Sequence, residues 1–246
     1  MISLPIAAGL ATVIVSTSFI SGIFGMAGGM ILMGILLAFM PLAPAMVLHG
    51  IIQIAANGWR AWQWRAHIQW RPVGHYAVGA ALVTAAVAIT QCTASKAVAL
   101  IIIGLTPFAG LLLPGRLAPD LGRCGHDYGC GAICTLLQLL AGVSGPILDV
   151  FFVRSNLDPR QQIATKAAVQ LLGHFLKVAY YGQLLAGSGE SISPHAVMLA
   201  IPLAVAGTHL SRYALDAISE AQFRTWSRYV IGTVSAAYLI QGLVLL

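Results

Sequence analysis

The chain has 246 residues, 59% of them hydrophobic and 8% charged, with a mean hydropathy of +0.87. A soluble globular domain carries about 25% charged residues, so the composition excludes one and points to a polytopic α-helical membrane protein. The formal charge of +6 does not point to nucleic acid, because the arginines are spread between apolar runs, as orientation signals are.

The N-terminus, Met1-Ile2-Ser3-Leu4-Pro5, has no basic region, so a cleaved signal peptide is not expected. Residues 3–22 are apolar, the glycine-rich stretch Gly25-Met26-Ala27-Gly28-Gly29 interrupts them, and residues 30–40 are apolar again. That second piece is about 16 Å long as a helix, roughly half a bilayer. Pro41 and Pro44 mark a short turn, and a span over 45–63 ends in Trp59, Arg60, Trp62, Trp64 and Arg65. Spans over 73–92 and 97–113 follow, separated by a tight turn at 93–96. Residues 114–127 form the only long polar stretch in mid-chain and divide the protein into a first membrane unit (1–113), a cytoplasmic linker and a second unit (128–246). The second unit runs 128–141, a break at Gly142-Val143-Ser144-Gly145, then 146–153, a polar turn at 154–160, and spans 161–186, 194–211 and 225–245.

The two units match when the chain is shifted by 117 residues: Gly25 falls on Gly142, Gly28 on Gly145, Gln53 on Gln170, Asn57 on His174, His49 on Lys166 and Arg60 on Lys177. These columns are polar, so shared apolar composition does not explain them. If each break is the tip of a hairpin that re-enters on its own side, residues 60–71, 114–125, 154–160 and 212–228 share one face. That face holds ten of the thirteen basic residues: Arg60, Arg65, Arg71, Arg116, Arg123, Arg154, Arg160, Arg212, Arg224 and Arg228. The opposite face holds Lys96 alone, the asymmetry of a positive-inside protein. Each unit then has three full spans, an odd number, so the second is inverted and both termini lie outside the cytoplasm. The five tryptophans, 59, 62, 64, 70 and 226, fall at the arginine-rich interface. The expected fold is all-α: two inverted repeats, each a broken re-entrant helical hairpin plus three transmembrane helices.

A backbone break at membrane depth is tolerated only where it is buried in protein or lines a cavity. The half-helices after the breaks, expected to begin at Gly29-Met30 and Pro146-Ile147, present free N–H groups and a partial positive charge. Two such ends meeting near the midplane make an anion site. Glycines in membrane helices also serve close packing; the repeat of the breaks favours the site. The expected contacts are Gly25, Gly28, Gly29, Gly142 and Gly145, with the Ser144 hydroxyl as a further donor. The next spans add polar stripes at i, i+4, i+8: His49, Gln53 and Asn57, and Lys166, Gln170 and His174. Lys166 either supplies charge to the anion or snorkels to the interface. Lys177 sits deeper. Asp149 either pairs with one of these lysines or, like His174, carries a coupled proton. His209 is read as a histidine bonded to a neighbouring helix.

The stretch GVSG also resembles the nucleophile motif of rhomboid intramembrane proteases, with His174 or His209 as the base. The corresponding residue of the first unit is Ala27, and the rest of that pattern is missing. The cysteines Cys92, Cys124, Cys130 and Cys134 match no zinc or redox spacing, so no metal site is expected.

The cluster GMAGG, the repeated unit and the C-terminal stretch from Ala206 to Gly242 together resemble the TauE/SafE family of sulfite exporter-like permeases. The resemblance implies a bacterial inner-membrane carrier for small anions such as sulfite or sulfonates, driven by an ion or proton gradient, with no soluble cofactor. Its partners are the anion and the lipid bilayer; a homo-oligomer is compatible with it. Pro146 and Lys166 depart from the pattern expected there. An anion channel with the same site is the alternative within the membrane class.

Overall fold

The computed structural model describes residues 4–112, 119–121, 123, 125–153, 155–215 and 220–246, which form ten α-helices and one 3-10 turn, without a strand. The first five helices are α1 (Leu4–Phe24), α2 (Met26–Phe39), α3 (Leu42–Gln63), α4 (Trp70–Thr90) and α5 (Lys96–Leu112). The second five are α6 (His126–Ala141), α7 (Gly145–Val153), α8 (Pro159–Ser188), α9 (Pro194–Leu215) and α10 (Glu220–Val244). Two segments, Trp70–Thr90 and Pro194–Ala214, are long and apolar enough to cross a membrane by composition alone, and Ala8–Phe24, Met26–Phe39 and Lys96–Phe108 are shorter apolar helices. Helices α3 and α8 carry the polar stripes, and His49, Gln53, Asn57 and His174 on them are buried.

The chain breaks where glycine supplies left-handed backbone. Gly25 has φ 67° and alone separates α1 from α2, while Gly142 caps α6 at φ 82°. At the first break, α2 folds back on α1: a Cβ added at Gly28 would run into the Thr17 carbonyl and the Ser21 backbone. Helix α8 has a strong start, with the Asp158 carboxylate accepting from the Arg160 and Gln161 N–H groups and Pro159 at the first turn.

Two expectations on the breaks need correction. The half-helices begin earlier, at Met26 and Gly145, because one positive-φ glycine suffices to end the preceding helix and Gly28-Gly29 are themselves helical. The pieces are also unequal: α1 has 21 residues and α2 14, against 16 for α6 and 9 for α7. At 1.5 Å per residue α2 is ~21 Å long, longer than half a bilayer.

The helices pair in a regular way. Helix α1 packs on α9 and α4 on α6; α2 on α10 and α5 on α7; α3 on α9 and α4 on α8; α3 on α8 and α5 on α10. Exchanging α1–α5 with α6–α10 returns these pairs, while α6 on α8, α5 on α6 and α2 on α5 have no counterpart of like extent. The α1–α9 and α4–α6 crossings are close because glycines sit in them, Gly207 against the Val15 carbonyl and Gly79 and Gly131 against the Tyr128 and Tyr76 carbonyls.

Charge is segregated along the bundle. Gln69 donates to Thr165 near the start of α8, His75 bonds Asp127 near the start of α6, and Gln63 meets His209 near the end of α9. These contacts bring Arg65, Arg71, Arg123, Arg160 and Arg212 to one end. Tyr180, about two-thirds of the way along α8, donates to the Cys92 carbonyl, so the turn with Lys96 lies at the other end. Gly242 packs against Ala97, which places the C-terminal end of α10 with Lys96 and Arg228 with the arginines. Arg116 and Arg154, and half of the 114–127 stretch, lie outside the described residues. The outer surface is apolar: Trp62, Trp70, Leu82, Ile89, Met198, Trp226 and Ile240 are all exposed.

Candidate functional site

The two breaks converge halfway along the bundle. A Cβ added at Gly145, the first residue of α7, would stand 2.6 Å from that of Met26, the first residue of α2, so the N-termini of the two half-helices touch. Around this contact lies a small cavity, in which about 20 Å³ is open to the centre of a water-sized sphere, room for about one water molecule in this conformation. Its wall comes from the breaks (Ser21, Gly25, Met26, Gly29; Gln138, Val143, Ser144, Gly145) and from mid-helix residues of α3 and α8 (His49, Gln53, Asn57; Gln170, His174). No Asp, Glu, Lys or Arg is among them.

Each break has a carbonyl end and an N–H end, and the protein treats them differently. The last carbonyls of α1 and α6 lack intrahelical partners. Arg60 covers one, donating to the Ser21 carbonyl at 3.1 Å and to Asn57 Oδ1 at 3.3 Å. Lys177 covers the other, donating to the Gly142 carbonyl at 2.9 Å, and Tyr181 donates to the Leu139 carbonyl at 2.7 Å. Arg60 and Lys177 are the residues that the 117-residue shift superposes, and both place a cation on the negative end of a helix. The positive ends, the first turns of α2 and α7, face the cavity. A cavity that collects helix N-termini while cations cap the opposing C-termini favours an anion.

A hydrogen-bond chain orders one wall. Ser144 holds the N-cap position of α7, and its hydroxyl donates to Gln138 Oε1 at 2.7 Å. Gln138 Nε2 lies 2.7 Å from His174 Nδ1, so this ring nitrogen accepts and a neutral His174 keeps Nε2–H as its donor. On the other wall, His49 Nε2 donates to the Gly29 carbonyl at 2.9 Å, and Lys177 Nζ lies 2.7 Å from His49 Nδ1. The rings of His49 and His174 are 5.5 Å apart.

Of the residues expected from sequence, Gly25, Gly29, Gln53, Asn57, Ser144, Gly145, Gln170 and His174 line the cavity together. Five expected residues are placed otherwise than as free contacts in the cavity. Gly28 does not face the cavity; it is a packing glycine against α1. Gly142 lies behind the wall with its carbonyl held by Lys177. The Ser144 hydroxyl is committed to Gln138 and is not a free donor. Lys166 and Asp149 pair with each other away from the cavity, at the edge of Phe152. Asp149 thus takes the lysine pairing that was one of its two expected roles, and neither residue lines the cavity.

Sequence reasoning missed Gln138, Ser21 and the place of His49 in the wall. The signal was present: Ser21 and Gln138 are 117 residues apart, each four residues before the first glycine of its break. The protease geometry is not formed, since the Ser144 hydroxyl points to Gln138, His174 Nδ1 is taken by Gln138, and His209 packs on Trp59 beside Gln63.

Compared with known proteins, the chain matches the family model described as sulfite exporter TauE/SafE over residues 10–239. No curated protein and no solved structure matches it.

Proposed function

The chain belongs to the sulfite exporter TauE/SafE family of membrane transporters, which is not an enzyme family, and from that premise we propose that it is a secondary carrier of a small oxyanion, such as sulfite or an organic sulfonate. The observation that carries this reading is the meeting of two helix N-termini at Met26 and Gly145 beside a neutral polar cavity. Gln53, Asn57 and Gln170 supply amide donors, His174 supplies Nε2–H, and the backbone N–H groups of the first turns of α2 and α7 supply the rest. Three or four oxygens around one centre need donors from several directions, and this wall provides them from four helices. The lack of a fixed cation in the wall suits a carrier, which must release its substrate as well as bind it.

The packing pattern supports two repeats, because exchanging the first five helices with the second five preserves most helix pairs, and the odd number of full spans in each unit makes the second inverted. The arginine-rich end is assigned to the cytoplasm of a bacterial inner membrane. Each break is then the tip of a hairpin that returns to its own side, and rocking of one repeat against the other opens the shared cavity to either face.

The test is anion flux in proteoliposomes. Wild-type protein is expected to give saturable sulfite uptake with counter-exchange. Gln170→Leu, which removes a donor to a charged group, is expected to raise the apparent Kd by about tenfold or more. Flux that never saturates overturns the carrier, and no flux with sulfite or a panel of sulfonates overturns the oxyanion.

A further inference from the structure

Lys177 is fully buried near the middle of α8, and its position has chemical consequences. A buried ammonium is costly and normally has an acidic partner. Among the described residues the ion pairs are His75–Asp127 and Lys166–Asp149, and neither includes Lys177. The groups around it are His49 on α3 and, on α8 itself, His174 and Tyr181. Helix α4 contributes Tyr76, which sits against Gly173, and α6 contributes Cys130 and Cys134, which cluster with Tyr76. The one acid on α7, Asp149, is held by Lys166, ~16 Å further down α8. Among the described residues no carboxylate balances Lys177.

The two hydrogen bonds of Lys177 persist in either protonation state of the pair, and the protonated state has one further N–H to place. The Gly29 carbonyl only accepts, so His49 Nε2 carries a proton and Nδ1 presents a lone pair to Lys177. A neutral Lys177 amine has two N–H groups, enough for the Gly142 carbonyl and for His49 Nδ1. Adding one proton gives either an ammonium donating to the same two acceptors, or an imidazolium donating from Nδ1 to the amine. Both bonds survive the change, and the proton can rest on either nitrogen across 2.7 Å. His49 also lines the cavity, so the pair reaches from the buried interior of α8 to the place an occupant would sit.

We propose that Lys177 and His49 form a proton site coupled to the anion, so that one proton from the aqueous phase is taken up as an anion enters the cavity. The proposal rests on the anion reading given above and specifies its coupling ion. An anion brings the counter-charge that the pair lacks; the pair gains a proton on Nζ or Nδ1; charges of −1 and +1 balance, and no covalent bond in the anion changes. Opposite unit charges about 6 Å apart, at an effective dielectric of about 20, favour each other by on the order of a hundredfold in affinity. Release of the anion on either side then releases the proton with it, which makes the two a cotransported pair.

The experiment uses purified full-length protein in weakly buffered detergent solution, titrated with methanesulfonate, which does not itself titrate near neutral pH. Anion binding is read by tryptophan fluorescence and proton uptake by an indicator dye. Wild type is expected to take up close to one proton per anion bound, with affinity falling up to about tenfold per pH unit as pH rises. Lys177→Met is expected to lose the uptake. Lys177→Arg keeps a fixed charge and two donors, and is expected to bind the anion without proton uptake and without the pH slope. Binding by wild type with no proton uptake overturns the proton site and leaves the anion site standing. Uptake retained in Lys177→Met but lost in Asp149→Asn moves the proton to the Lys166–Asp149 pair and overturns the assignment. No binding of methanesulfonate, sulfite or sulfate overturns the anion reading and this inference with it. Should Lys177→Met fail to fold, the wild-type proton count and Lys177→Arg decide.

Discussion

Gln138 holds together two groups that lie far apart in the chain. Its amide accepts from Ser144 and donates to His174, so it fixes the hydroxyl at one half-helix start and the tautomer of a cavity-wall imidazole. Gln138→Leu leaves both buried partners unpaired, which costs about 1–3 kcal/mol for each orphaned group. The variant is expected to melt at a lower temperature and to bind sulfite at least about tenfold more weakly, as read by thermal unfolding and fluorescence titration. A variant with wild-type melting and affinity would show that the chain of bonds is incidental. The Gln53/Gln170 match made those two residues visible in sequence, because identical polar residues in aligned columns are rare in apolar runs. Ser21 and Gln138 share only polarity, which is a weaker signal. Lys166 was misleading for a related reason. Its mate is Asp149 on another helix, and sequence offered that pairing without deciding between Lys166 and Lys177, because the choice is set by tertiary packing. Lys166→Ala is expected to lower stability, and adding Asp149→Asn to restore part of it, with a coupling on the order of 1 kcal/mol in a double-mutant cycle.

At the scale of elements, neighbouring glycines do different work. A Cβ at Gly28 would strike the Thr17 carbonyl, which is backbone and cannot turn aside. A Cβ at Gly29 would come within 3.3 Å of Gln53 Nε2, the far end of a flexible side chain. Gly28→Leu is therefore expected to part α2 from α1 and to lose the monodisperse peak in size-exclusion chromatography. Gly29→Ala is expected to fold and to weaken anion binding by pressing Gln53 into the cavity. If Gly28→Leu folds like wild type and loses only binding, Gly28 faces the anion after all. Glycine content told where the helices break, since Gly25 and Gly142 supply the positive φ that ends them. It did not tell which face of α2 each later glycine occupies, because that depends on the register with which α2 lies on α1. The apolar spans were legible to within a few residues for the same reason that composition sorted the chain into the membrane class. Their packing partners were not, since α1 meets α9 across more than half the sequence and α4 meets α6 by passing over α5.

At the scale of the whole molecule, orientation is the claim most open to a direct test, and the chain carries its own probes. Cys92 is exposed beside the turn that holds Lys96, at the end of the bundle away from Arg65, Arg71, Arg123, Arg160 and Arg212. Cys130 and Cys134 are buried, so an aqueous thiol reagent does not reach them. Cys124 lies outside the described residues, and its sequence neighbour Arg123 stands at the arginine-rich end. If basic residues are retained on the cytoplasmic side, an impermeant maleimide added to intact cells is expected to label Cys92 in a Cys124→Ser variant. In a Cys92→Ser variant, Cys124 is expected to label only after the membrane is permeabilised. Helix α8 sets the distance between the two environments: it runs from the arginine end past Tyr180, whose hydroxyl holds the Cys92 carbonyl, a rise of ~32 Å that matches the hydrocarbon thickness of a bilayer. Labelling of Cys124 from outside would invert the whole assembly without disturbing a single contact within it, because the cavity lies halfway along the bundle and its two-unit pattern is indifferent to which end faces the cytoplasm. Labelling of Cys92 and Cys124 from the same side would instead break the assignment of the ends, and with it the picture of two hairpins entering from opposite faces.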